Sequence, residues 1–115
     1  MVQQNEEMYR KRAEEFVRDA RMGRLDKLMR YTSKLTIQIH SKDKIRSGYD
    51  ERVIPAFRNS KVVWDRDAVQ VFDSRRNPGF SFSGTIVKGY KKRFQIVVFG
   101  EDGEYVIANI SSKDH

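Results

Sequence analysis

Cysteine is absent from the 115-residue chain, which excludes disulfides, a thiol nucleophile and a thiolate metal site. No apolar run approaches the ~18–20 residues that cross a bilayer as a helix. No internal repeat, low-complexity tract or Pro/Gly/Ser linker divides the sequence, so residues 1–115 read as a single domain. There is no Gly-rich phosphate loop, no Ser/His/Asp constellation in a recognisable context and no metal-ligand spacing. The sequence therefore points to no cofactor and no metal. Histidine occurs only at 40 and 115. His115 is the last residue, consistent with a tag remnant, and is assigned no role.

What is present is a core and an excess of positive charge. Hydrophobic residues make up 38% and aromatics 11%, too rich for a disordered chain even with 34% charged residues. Lys and Arg number 23 against 16 Asp and Glu, a net charge of +7. Such an excess favours anionic partners. It is spread evenly, +4 in residues 1–50 and +3 in residues 51–115. Its clusters, Arg10-Lys11-Arg12, Arg75-Arg76 and Lys91-Lys92-Arg93, fall on three different predicted elements. With no nucleic-acid motif beside them, nucleic acid is not the expected partner.

The first segment reads as a helix. Tyr9, Ala13, Phe16, Val17 and Ala20 form one apolar stripe, with Glu6 and Glu7 near its start and Arg18 and Arg21 near its end, an order that suits the helix dipole. Gly23 interrupts, and Leu25, Leu28 and Met29 begin a second short helix. From Lys34 to His40 the period becomes two, with Leu35, Ile37 and Ile39 alternating with Thr36, Gln38 and His40, which predicts a half-buried strand. A third helical pattern runs through Ile45, Tyr49, Val53, Ile54 and Phe57, with a break or irregular turn expected at Pro55.

After Ser60 the pattern is strand and turn. Between Val62 and Asp73 the apolar parity switches from even (Val62, Trp64) to odd (Val69, Val71), which predicts one extra residue near Arg66–Ala68 and a bent strand. Asn77-Pro78-Gly79 reads as a turn. Asp102-Gly103 is the strongest hairpin signal, and Glu101–Glu104 has too few ligands for a calcium loop. A two-residue turn there pairs Phe99 with Val106, Val98 with Ile107 and Ile96 with Asn109. A loop at Gly89-Tyr90-Lys91 pairs Ile86 with Phe94 and Phe82 with Val98. One face then carries Phe80, Phe82, Ile86, Phe94, Ile96, Val98, Tyr105 and Ile107 and is the expected core face. The opposite face carries Ser81, Ser83, Thr85, Gln95, Val97, Phe99, Val106, Ala108 and Ile110. None of these is charged, and a contiguous uncharged face is usually covered by another surface. A homodimer interface is expected there.

The stretches Ala20-Arg21-Met22-Gly23-Arg24-Leu25-Asp26-Lys27-Leu28 and Gly103-Glu104-Tyr105-Val106-Ile107-Ala108-Asn109-Ile110, set in this order of helices and strands, resemble the nuclear-transport-factor-two-like (cystatin-like α+β) superfamily from about Glu7 to Ser112. The resemblance implies an α+β fold in which N-terminal helices pack in a strongly curved, mostly antiparallel sheet. The sheet forms a cone-shaped half-barrel with a pocket at its open end, and many members pair through the outer sheet face. Members include transport adaptors, secretion-system components, isomerases and dehydratases, so fold alone does not assign function.

Within that frame, Tyr31, Tyr49, Phe57 and Trp64 are the aromatics expected nearest the cone mouth, although plain core packing explains them equally well. Asn109, placed on the core face by the hairpin register, either bonds to a helix end or lines the pocket. His40 is a candidate acid/base group or an ordinary polar strand residue. Asp65 is a second candidate base: with Asp67 it could share a proton or a metal, or both could be solvated acids paired to Arg66 or Arg52. The Asp, His and Tyr placements of the isomerase and dehydratase branches are not evident. Three readings follow: a non-catalytic binding or scaffold homodimer holding a small ligand or peptide; a small acid/base enzyme acting on an apolar molecule; and an accessory domain of the bacterial cell envelope whose leader has been removed, the compartment otherwise being cytoplasmic.

Overall fold

In the computed structural model, which describes residues 6–113, the first apolar stripe is helix α1 (Glu6–Arg21), burying Tyr9, Ala13, Phe16, Val17 and Ala20. His115 lies outside the described residues. Gly23, at φ +71, supplies the left-handed residue that ends α1, and α2 (Leu25–Tyr31) packs Leu28 into the core.

Residues 34–40 are not a strand but a helix, α3 (Lys34–His40). The alternation of Leu35, Ile37 and Ile39 marks no buried face: none of the seven residues is buried, and Ile39 is 66% exposed. Helix end chemistry decides the conformation instead. Ser33 caps the first turn by accepting from Thr36 N–H, and the Glu101 carboxylate accepts from Lys34 N–H at 2.8 Å. Ser41, at φ +73, closes α3 and opens α4 (Lys42–Gly48).

The helix continues through a π-helical turn at Tyr49–Val53 into α5 (Ile54–Phe57). That wide turn is the irregularity expected at Pro55. Proline has no N–H and its ring crowds the preceding turn, so the chain gains one residue there and stays helical.

The strands are β1 (Lys61–Trp64), β2 (Val69–Phe72), β3 (Pro78–Val87), β4 (Lys91–Glu101) and β5 (Glu104–Lys113). They form one five-stranded antiparallel sheet in the order β1-β3-β4-β5, with β2 also pairing β3. The fold is α+β, and the sheet does not close on itself. Phe80, Phe82, Ile86, Phe94, Ile96, Val98 and Ile107 are buried with the helices' Phe16, Leu28, Ile54 and Phe57 in one core.

Register departs from expectation in three places. Between β1 and β2, residues 65–68 face only 82–83 of β3, so two residues are extra rather than one. Parity is therefore kept, and Val69 and Val71 lie on the face opposite Val62 and Trp64. The β3–β4 pairs run two positions from those expected, with Gly84 opposite Phe94 and Phe82 opposite Ile96; a shift of two leaves every side chain on its face. The β4–β5 hairpin pairs as expected from Glu101–Glu104, over a turn with φ +52 at Asp102 and +80 at Gly103, as far as Val98–Ile107. Ala108 is then bulged out, so Asn109 pairs with Val97 and Ile110 with Ile96. Asn109 is thus on the outer face and Ile110 on the core face, the reverse of the sequence expectation.

The turn before β3 also sits earlier than expected. The Asp73 carboxylate accepts from the N–H groups of Arg75 and Asn77, both at 2.8 Å, and Pro78 and Gly79 already belong to β3.

Candidate functional site

A cleft of about 700 Å³ opens between the helices and the end of the sheet that carries the β3–β4 loop. Its helical wall is Tyr49, Arg52, Val53, Ala56 and Phe57, the i, i+3, i+4, i+7, i+8 spacing of one helical face. Tyr49 is anchored by an edge-on contact with Phe16 at 5.4 Å and a 2.7 Å hydrogen bond between its hydroxyl and that of Thr32. Burial pushes the Tyr49 phenol up, outweighing the opposing effect of the Thr32 bond. Phe57 meets Phe94 at 5.2 Å, edge to face, at the back of the cleft.

The sheet wall is Ile86, Lys92, Phe94, Ile110 and Ser112. These positions share the core face through the pairs Ile86–Lys92, Phe94–Ser112 and Ile96–Ile110. The third side is the β5 edge from Ala108 to Ser111, with Thr36 and His40 of α3 beside it. Helix α3 is held to that edge by the bulge. Ser33 N–H donates to the Ile107 carbonyl at 2.9 Å, and the Thr36 hydroxyl to the Ala108 carbonyl at 2.9 Å. Carbonyls that an edge strand would leave open are thereby satisfied.

The cleft thus gathers His40, Tyr49, Phe57 and Asn109 from the residues singled out in the sequence. Tyr31 and Trp64 are elsewhere. Tyr31 faces α1, donating to Asp19 at 2.7 Å under the Arg12 guanidinium, which lies 4.5 Å from its ring centroid. Trp64 packs edge-on to Phe94 at 5.2 Å outside the cleft.

Asp65 is also elsewhere. Arg93 grips both of its oxygens and also donates to the Thr85 hydroxyl at 3.1 Å. The Arg93 hydrogen bonds hold the Asp65 carboxyl below the usual range against the opposing effect of desolvation, so it is a poor proton acceptor near neutrality.

On the outer sheet face, Ser83, Thr85, Gln95, Val97, Phe99 and Val106 align as expected, Asn109 replaces Ile110 and Ala108 lies in the bulge. Part of this face is already covered within the single chain, Ser81 being 3% and Val106 6% exposed. Arg93, opposite Thr85, brings charge to the face and neutralises it with Asp65.

Two cleft residues escaped the sequence reading because they are charged. Arg52 lies three residues after Tyr49 on the same helical face, and Lys92 has the even parity of Phe94 and Ile96. Asp19 was missed for the same reason. It is fully buried in α1, accepting from Tyr31 and from Arg24 at 3.3 Å, and its place between Val17 and Ala20 is the only sequence signal of that burial.

Among the described residues, none lining the cleft is an aspartate or glutamate, and no three His, Asp or Glu side chains are grouped to hold a metal ion. In comparisons with known proteins, no family model matches the chain and no curated protein matches it.

Proposed function

We propose that this chain is a non-catalytic binding domain built on the nuclear-transport-factor-two-like plan. In this reading the sheet wraps the helices as a cone, the cleft is the cone mouth, and a small, largely apolar ligand or peptide sits in it. The cleft itself carries the proposal. Its volume lies within the ~300–1,000 Å³ of small-molecule sites, and Ile45, Val53, Phe57, Ile86, Phe94 and Ile110 supply apolar lining. Gly48 gives a clean test, because it lines the cleft and a Cβ added there meets nothing within 4 Å. Gly48→Phe should fill the site without disturbing the core. Binding of the neutral dye Nile red, followed by fluorescence, should fall at least tenfold in that variant while the Tm is held. Equal binding by both proteins would remove the cleft as the site.

The same reading places a second copy of the chain on the outer sheet face, where Val63 and Val69 are 49% and 65% exposed and Val69 lies across Ser81 from Val97. Sedimentation velocity at micromolar concentration should show a dimer that Val69→Glu converts to monomer; a strict monomer in the parent protein removes this part.

Acid/base catalysis retains one candidate, His40, because it lines the cleft. Solvent deuterium incorporation into a bound carbon acid, lost in His40→Gln, would select the enzyme over the binding domain.

A further inference from the structure

We infer that the ligand of the cleft is an amphipathic acid, an apolar body ending in a single carboxylate. The inference rests on the cleft being a binding site and adds the chemistry of what enters it. The back of the cleft, formed by Phe57, Ile86 and Phe94, is apolar, and a ligand body buried there gains the usual ~25 cal/mol per Å² of apolar surface removed from water.

Among the described residues the lining contains Arg52 and Lys92 and no carboxylate, with hydroxyl and amide donors at Ser111, Ser112 and Asn109. A net charge of +7 spread over a surface would place basic residues anywhere; here they flank an apolar hole from two different elements, the π-helical turn and β4. Among the described residues Arg52 has no hydrogen-bonded or ion-paired partner, so its guanidinium can offer a planar fork to a carboxylate at the cleft. A neutral ligand would leave the Arg52 guanidinium unused, and a cationic one would be repelled by it.

The test measures displacement of Nile red by decanoate, decanol and decyltrimethylammonium at low salt. Decanoate is expected to bind at least tenfold tighter than decanol, the cation weakest, and Arg52→Gln should bring decanoate down to the level of decanol. Equal displacement by acid and alcohol would overturn the preference for an acid while leaving an apolar cleft in place. Tighter decanoate binding that survives Arg52→Gln would overturn the assignment of Arg52 as the anchor. If neither compound nor the dye binds, the cleft reading itself fails and this inference with it.

Discussion

Trp64 of β1 and Phe94 of β4 meet edge to face at 5.2 Å although β3 runs between them. They can do so because the intervening position, opposite both of them, is Gly84. A Cβ at Gly84 would lie 2.8 Å from the Val63 carbonyl oxygen and 2.9 Å from the Phe94 ring. Gly84→Ala should therefore destabilise the domain by about 1–3 kcal/mol, as overpacked cores do. Urea unfolding should show a lower midpoint at unchanged slope, and the near-ultraviolet dichroism of Trp64, the only tryptophan, should weaken.

The buried Asp19 is a tie between the first two helices rather than part of the cleft. Tyr31→Phe removes one of its donors and should cost about 1 kcal/mol. Asp19→Ala should cost about 2 kcal/mol, because the Tyr31 hydroxyl is then left without its acceptor. The two changes combined should cost less than their sum, since they break the same bond. A double-mutant cycle in urea measures this directly.

Glu101 joins the hairpin turn to the start of α3 by accepting from the Ser33 hydroxyl at 2.7 Å and Lys34 N–H at 2.8 Å. Glu101→Gln removes the charge behind those bonds and should lower stability by about 1 kcal/mol. Amide exchange should quicken across 34–40 while α1 is little changed.

The pH response follows from the same contacts. Burial raises the Glu101 carboxyl, but the Lys34, Ser33 and Leu35 hydrogen bonds and the Lys34 charge outweigh it, and the net shift is downward from 4.5. Asp65 is lowered chiefly by Arg93, and Asp73 chiefly by the N–H of Asn77. Carboxyls depressed in the folded state add stability that is present above their unfolded values and is lost as pH falls through their folded ones. Tyr9, Tyr31 and Tyr49 are all raised above 10.0, each mainly by burial, so their contribution is complete below pH 10 and is lost as pH rises beyond it. The Tm should hold a plateau near neutrality, decline below about pH 4 and decline again above about pH 10. In Glu101→Gln the acid decline should be shallower, while a decline identical to the parent's would show that this carboxylate is not involved.

The sequence made local features legible and hid those set at long range. The α1 stripe, the irregular turn before Pro55 and the Asp102-Gly103 hairpin each depend on neighbours within a turn or two, and each is found. Helix α3 was hard to read because, beside the local Ser33 cap, the acceptor for its first N–H, Glu101, lies 67 residues away. The Ala108 bulge was unreadable because Thr36, 72 residues distant, takes the carbonyl it frees. That single bulge moves Asn109 and Ile110 to opposite faces, yet Asn109 still reaches the cleft because β5 is its edge. Of the site, the aromatic and amide part was visible; the basic part was not, since a search for apolar faces discards Arg52 and Lys92 at the outset.

The π-helical turn at Tyr49–Val53 makes chain length here a matter of screw geometry. Each residue of an α-helix advances the chain by about 100°. The wide turn already absorbs one residue, so removing one between Tyr49 and Pro55 would let the segment close with Phe57 still facing Phe94, whereas adding one would swing Phe57 away by roughly that angle. Tyr49 would stay pinned at Thr32. An added residue would cost the cleft its back wall while the upstream helices kept theirs, so a one-residue deletion at these positions should be tolerated far better than an insertion.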